Sequence, residues 1–332
     1  MKLVFFQRKP RPNKNFSLEI LFDQIRENLP KDIAWKIEIA KYYSNGFFKR
    51  VYIALAAIFK QEEINHVTGD IGFVAIFLKK RKTVLTILDT GILDQSSPIA
   101  RKIIQFFWIQ LPVKRAAYVT TISNASKKEL LKYVTVDEKK VRVIYVPVSK
   151  GMEFSPKTFN TVTPIILQIG TKENKNLIRL AQALKGIHCK LEIVGVLSQE
   201  QVLALAENKI DYNNVVNISN EELKVKYQQA DLLAFVSTYE GFGMPIVEAQ
   251  LIGRPVITSN LLSMPEVAGD GALLVNPYNI DEIRKGILKI IEDANYRQTL
   301  VKNGLENAQR FDVKIIANQY ANLYKEVYQN NR

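Results

Sequence analysis

"TYEGFGMPIVEAQLIGRPVITSN", residues 238–260, sets two carboxylates, Glu240 and Glu248, eight residues apart around a Gly-Phe-Gly and a proline. Just upstream, "ADLLAFVS" (230–237) is an apolar run of strand length. The chain then turns through Tyr239 to Gly243, and Pro245 suits the first turn of a helix, where its missing N–H costs nothing. "PIVEAQLIG" reads as that helix, with Gly253 stopping it and Pro255 following. Strand, glycine turn and helix in this order belong to an α/β fold, whose ligand sites lie beyond the carboxyl ends of the strands.

The residue types at this turn suit a particular ligand chemistry. Glycines let the backbone approach a ligand closely, and the N–H groups of Phe242, Gly243 and Met244 leave the helix start at an end that holds phosphate. The helix field is expected to keep Glu248, one turn inside, ionised as an acceptor for two neighbouring hydroxyls. Glu240, outside the helix, can address a second hydroxylated group. Phosphate donors between two polyol acceptors match a nucleotide-diphosphate sugar. A bare strand-to-helix turn with a Glu cap explains the glycines and the proline as well, but leaves both acids unexplained.

Outward from this stretch, short β-branched runs alternate with 3.6-periodic segments. Expected strands are Leu3–Phe6, Ile33–Ile39, Ile64–Val67, Thr83–Leu88, Tyr118–Ile122, Val141–Tyr145, Ile165–Ile169, Leu191–Val194, Leu232–Phe235 and Val256–Thr258. Helices are expected at Ser17–Asn28, Phe47–Lys60, Ile71–Leu78, Ile99–Leu111, Asn124–Tyr133 and Asp312–Tyr328. Residues 147–164 are rich in Gly, Pro, Ser and Thr and read as a linker. The 332 residues therefore divide into a domain over 1–150, a second over 151–311 and a terminal helix over 312–332. Each domain is expected to be a doubly wound parallel sheet with helices on both faces, the pair facing across a cleft.

Composition narrows the class further. At 47% hydrophobic and 24% charged residues the chain is an ordinary globular protein. The longest apolar run, Val51–Phe59, is too short to span a bilayer, and Leu3–Phe6 is too short for a secretory signal. The single cysteine, Cys189, excludes an intrachain disulfide, so a reducing cytoplasmic setting is expected. The net charge of +13 is uneven: residues 1–150 hold 27 basic and 13 acidic residues, and the rest hold 19 and 20. Such a field attracts phosphates, anionic lipid or nucleic acid, or keeps a solvated face soluble. A nucleic-acid-binding role is disfavoured, because the chain lacks a recognised module for it. A glycoside hydrolase is also disfavoured, since its two carboxylates must flank one bond.

"EGFGMPIVEA" (240–249) resembles the signature of retaining GT-B glycosyltransferases of the family 4 type (glycosyl transferases group 1). The likeness continues through "GRPVITSNLLSMPEVAGDGALLVNP" and back to "PIILQIGTKENKNLIRLAQAL", "LEIVG" and "QQADLLAFVS". It implies that Glu240 contacts the transferred sugar, that Glu248 binds the ribose, and that Gly241, Phe242, Gly243 and Met244 meet the diphosphate and sugar. "GTKENKN" is similar to a loop that supplies basic residues to the diphosphate. Lys175 matches the family's lysine, whereas Thr171 and Lys172 stand where a companion arginine is usual. Ile218 and Ser219, in "NISNEEL", are the expected base contacts.

The likeness is looser in the first half, where "TILDTGIL" (86–93) has Leu88-Asp89 in place of the family's His-Asp. Asp89 is left to position an acceptor hydroxyl, with Arg8, Arg11 and His66 as acceptor contacts, although a lone histidine at a strand end such as His66 is more often structural or a loop contact. The missing imidazole keeps a second reading open, a catalytically impaired sugar-nucleotide-binding protein or subunit. In the family, transfer runs on one face of the sugar and the departing diphosphate helps take the acceptor's proton, so no protein base is strictly required. No Asp-x-Asp occurs in the chain, so no metal site and no cofactor are expected. "LKKRK" (78–82) and "RKIIQFFWIQLPVKR" (101–115) mix basic and aromatic residues, which suits a lipid-linked glycan acceptor at the inner face of an anionic membrane.

Overall fold

β1 (Lys2–Gln7, KLVFFQ) is buried along nearly its whole length, as the apolar run Leu3–Phe6 of an interior strand in a parallel sheet must be. The computed structural model describes residues 1–10, 17–88 and 98–331. Among these, two units are distinct: Met1–Pro147 together with Val313–Arg332, and Val148–Asp312.

In the first unit the chain continues through α1 (Ser17–Glu27), β2 (Ala34–Ile39), α2 (Phe47–Ile58), β3 (Ile64–Val67) and β4 (Thr83–Ile87). It then runs through α3 (Pro98–Ile104), α4 (Leu111–Arg115), β5 (Tyr118–Thr121), α5 (Asn124–Leu131) and β6 (Val141–Val143). The strands form one parallel sheet in the order β2-β1-β3-β4-β5-β6, so the winding reverses between β1 and β3. Two helices depart from expectation. Ile71–Leu78 shortens to a 3₁₀ segment, Gly72–Ile76, four of whose five residues are buried. The single helix expected over Ile99–Leu111 widens into a π turn at Gln105–Gln110 before continuing as α4. Pro112 cannot donate to the carbonyl four residues back, and the helix opens where that bond is missing.

In the second unit come β7 (Ile165–Ile169), α6 (Leu177–Leu184), β8 (Lys190–Val194), α7 (Gln199–Glu207), β9 (Tyr212–Val215), α8 (Asn220–Gln229) and β10 (Leu232–Phe235). These are followed by α9 (Met244–Ile252), β11 (Val256–Ser259), α10 (Met264–Ala268), β12 (Leu273–Val275), α11 (Ile280–Glu292) and α12 (Ala294–Ala308). This sheet has the order β12-β11-β10-β7-β8-β9, again parallel throughout, with its reversal between β10 and β7. β9 and β12 were not expected from the sequence. Both are edge strands, one carrying two asparagines and the other only three residues long, so neither shows a buried-strand pattern.

Residues 148–164 are not a loose linker, because they are tied into the second unit. The Val148 N–H donates to the Phe311 carbonyl (3.0 Å) and the Ser155 N–H to the Ile252 carbonyl (3.1 Å). The buried carboxylate of Asp231 pairs with Lys157 and accepts the N–H groups of Asn160 (3.0 Å) and Ile165 (2.8 Å).

The final helix, α13 (Val313–Gln329), belongs to the first unit and packs on α1 and β3. Ile316, Tyr320, Leu323, Tyr324 and Val327 are buried as its periodicity predicts, whereas Ile315 is exposed on the other side of the helix. The helix is joined to the sheet at His66. This residue is 0% exposed, with Nδ1 2.7 Å from the Tyr324 hydroxyl and Nε2 2.8 Å from Thr86 Oγ1. Rings of Phe5, Phe22 and Tyr320 lie 5.3, 5.3 and 5.5 Å from its own. His66 is therefore a core residue and not an acceptor contact: both nitrogens are engaged and no face of the ring reaches solvent. Burial, reinforced by the charge of Arg26, pushes its pKa down to about 3. The unfolded chain thus binds a proton near pH 6.5 that the folded one refuses until about pH 3, so stability falls as pH drops through that window. Between those values the slope from His66 approaches about 1.4 kcal/mol per pH unit. Urea midpoints of the wild type and His66→Gln across this range should diverge, and identical pH slopes would contradict the assignment.

Candidate active site at the β7–β10 switch point

The loops leaving β7 and β10 meet where the winding of the second sheet reverses. Gly170, φ +84°, ends β7, and a Cβ there would lie 2.9 Å from Lys175 Cε, so glycine leaves room for the lysine stem to cross the strand end. Lys175, in the 3₁₀ turn Glu173–Lys175, holds its ammonium 4.5 Å from the centre of the Phe235 ring and 2.5 Å from Glu240 Oε1. Asn174 braces the same loop, donating to the Tyr239 carbonyl (2.8 Å) and accepting the Thr238 N–H on its own carbonyl (2.8 Å).

The turn itself is set by Gly243 and Ser263. Gly243, φ +108°, precedes α9, which starts at Met244, one residue earlier than the sequence suggested, with Pro245 in its first turn. The buried Ser263 hydroxyl lies 2.9 Å from the Glu240 carbonyl and 2.8 Å from the Phe242 carbonyl. In a trans peptide C=O and N–H point opposite ways, so an inward Phe242 carbonyl turns the Gly243 N–H away from Ser263. Phe242 is buried against Phe311, their ring centres 5.6 Å apart. Of the residues expected at the diphosphate, Gly241 to Met244 thus form the helix entry, and the Phe242 side chain anchors it.

Glu248, on the second turn of α9, is only 5% exposed. Oε1 accepts the Ser149 hydroxyl, and Oε2 accepts the hydroxyl of the fully buried Tyr227 on α8 at 2.6 Å. The expectation that the helix field keeps this carboxyl firmly ionised is corrected: burial pushes its pKa above the usual carboxylate range, against the opposing pull of the Ser149 and Tyr227 hydroxyls. The Tyr227 phenol is likewise pushed well up, by burial first and then by the charge of Glu248. Ser149 and Tyr227 are neighbours of Glu248 that the sequence did not reveal. Ser149 sits in the segment read as a linker, and Tyr227 lies on a helix of low amphipathicity, 21 residues before its partner.

The remaining candidates are distributed as follows. The Thr171 hydroxyl donates to the Val196 carbonyl at 2.6 Å, and Lys172 is exposed at the start of the 3₁₀ turn. Ser219 caps α8 in a reciprocal pair with Glu222, and Ile218 beside it is half-buried. In the first unit Arg8 follows β1 at the β1–β3 reversal, but it is already held by Glu19 (2.7 Å) and by both oxygens of Asp70 (2.9 and 2.7 Å). Its guanidinium pKa is raised, chiefly by the bond to Glu19. This corrects the idea of a free acceptor-binding cation. Asp89 and Arg11 lie outside the described residues.

Comparison with known proteins is consistent with this geometry. The chain superposes on sucrose-phosphate synthase from Thermosynechococcus elongatus with a TM-score of 0.80 at 18% identity, covering 99% of this chain and 100% of that one. It superposes on Anabaena HepE in complex with UDP-glucose with a TM-score of 0.74, also at 18% identity, covering 98% and 100%. The fold is that of the GT-B class, two Rossmann-like doubly wound domains. Residues 152–307 match the model of the family described as glycosyl transferases group 1. O-antigen chain mannosyltransferase B of Escherichia coli is 29% identical over 235 residues, 63% of this chain and 61% of that protein. Alignments with the first curated relatives span 57–61% of their lengths.

Because folding raises the Glu248 pKa, its carboxyl favours the native state most at low pH, and that contribution is lost as pH rises through the folded value. At neutral pH Glu248→Gln should therefore raise stability by on the order of 1 kcal/mol, read as a higher urea midpoint. A lower midpoint would mean that the two hydroxyls solvate the carboxylate better than water does.

Proposed function

We propose that the chain is a retaining glycosyltransferase that moves a sugar from a nucleotide-diphosphate sugar to a glycan or lipid-linked glycan acceptor. The observation that carries this reading is the meeting of Lys175 with Glu240 at the start of α9, with Glu248 one turn inside the same helix. In this reading the diphosphate lies against the first N–H groups of α9 and draws the Lys175 ammonium onto its oxygens. Glu240, relieved of its partner, accepts hydroxyls of the transferred sugar. Glu248 exchanges its Ser149 contact for the ribose hydroxyls.

The anomeric carbon–oxygen bond to the diphosphate breaks, and the acceptor oxygen bonds to the same face of the sugar. The acceptor's proton passes to the departing phosphate oxygen. Lys175 and the helix end stabilise charge on that leaving group, which is where the barrier is most sensitive to the protein. No metal is required in this scheme. The name of the Escherichia coli relative, a mannosyltransferase of the O-antigen chain, supports a glycan acceptor. The UDP-glucose held by the Anabaena protein supports the class of donor.

Leu88 follows β4 where the family resemblance implies a histidine, and it favours one competing reading, a protein that binds the sugar nucleotide without transferring it. A panel of nucleotide sugars, screened by thermal shift and then by turnover, separates the two. Glu248→Ala should weaken donor binding by at least about tenfold, the loss of one or more good hydrogen bonds to a charged group. Glu240→Ala and Lys175→Ala should chiefly lower turnover. Wild-type transfer rates in all three variants would remove the site from this position.

A further inference from the structure

α2 carries its apolar residues on two opposite sides. Ile53, Ala54 and Ala57 face the core, as in any surface helix. The outward stripe, where charged residues are usual, is instead Phe48, Tyr52, Leu55 and Phe59, spaced four, three and four residues apart. Phe48 is 85% exposed, Phe59 89%, and Phe47 beside them 73%, values at which a side chain has almost no protein contact to justify it.

The charges on the helix itself are all basic, and Glu38, paired with Lys60, is an acidic group beside its far end. α2 contains no acidic residue, and Lys49 and Arg50 fall in its first turn, where the helix dipole disfavours cations. Gly46 gives that end no side-chain cap. Lys41 lies over the rings of Tyr42 and Tyr52, 5.5 and 5.8 Å from their centres, and Lys60 closes the far end, paired with Glu38 at 2.6 Å. Arg50 stacks on Trp108 of the π turn at 4.5 Å, and Phe106 and Phe107 of that turn are partly exposed. Among the described residues no helix is long and apolar enough to cross a membrane, so any lipid contact they make through helices is peripheral.

We propose that the outward face of α2 docks the first unit on an anionic lipid bilayer. Phe47, Phe48 and Phe59 enter the headgroup boundary while Lys41 and Lys49 meet lipid phosphates. Phosphates against the first turn also offset the unfavourable placement of Lys49 and Arg50. The sequence pointed to residues 78–82 and 101–115 for such contact; within the apolar run Val51–Phe59 it does not distinguish the residues that face outward from those that face the core.

Sedimentation of the full chain with vesicles tests this independently of any donor or transfer assay. Wild type should bind vesicles of phosphatidylglycerol and phosphatidylethanolamine in equal parts and leave phosphatidylcholine vesicles in the supernatant unbound. Because both rings are exposed, Phe48→Ser/Phe59→Ser should keep the wild-type circular dichroism and melting temperature yet bind the anionic vesicles at least about tenfold more weakly. Lys49→Glu should weaken binding severalfold, and added salt should do the same to wild type. Wild type that ignores anionic vesicles, or a double variant that binds them equally well, overturns the proposal. So does a vesicle-free dimer of the wild type that the double variant dissolves, since the face would then pair with a second copy.

Discussion

The backbone reversal at Gly243 is the constraint on which the site depends. β10 lies at the middle of its sheet and α9 must start immediately beyond it, so the chain changes direction within a few residues. A left-handed φ achieves this at a position where a Cβ would press on Ile246 at 3.0 Å. Ser263 then fixes the carbonyls of Glu240 and Phe242, and the peptide planes follow. The helix start, the Glu240 carboxylate and the Lys175 ammonium are thereby brought to the one point where neighbouring strands wind in opposite senses and leave a crevice.

The first unit shows the same principle with a different outcome. Its reversal falls between β1 and β3, and Arg8 stands there as Lys175 stands in the second unit. Arg8, however, makes four contacts to two carboxylates and is held rigidly by its own domain. Lys175 has a single carboxylate partner and an aromatic face, an arrangement an incoming anion can displace at less cost. The polar seam of His66, Tyr324, Thr86 and Thr120 is similarly structural, since it fastens the terminal helix to the sheet with every ring nitrogen satisfied.

Glu248 shows how magnitudes decide between effects. A helix N-terminus favours a nearby carboxylate by about 0.3–1 kcal/mol at exposed positions. Removing a carboxylate from water disfavours it by several kcal/mol even after relaxation. At 5% exposure the second effect prevails, and two hydroxyl donors only partly offset it. A group in that condition is well disposed to accept further donors such as ligand hydroxyls.

The parallel α/β architecture was legible because central strands such as β1 and β10 are buried on both faces and read as unbroken apolar runs. The chemistry of residues 238–260 was legible because glycine, proline and acid at short spacing act through local backbone geometry. What failed was long-range. The edge strands β9 and β12 carry no burial pattern of their own, and Tyr227 and Ser149 reach Glu248 from segments that looked like ordinary helix surface and linker. The solvent-facing stripe of α2 could not be told from core until the other elements showed which side they cover. Local sequence determined the turns, the central strands and the types of functional group. Only the tertiary structure decided which groups lost their water and which partners they found, because burial and distant contacts belong to the packed chain as a whole.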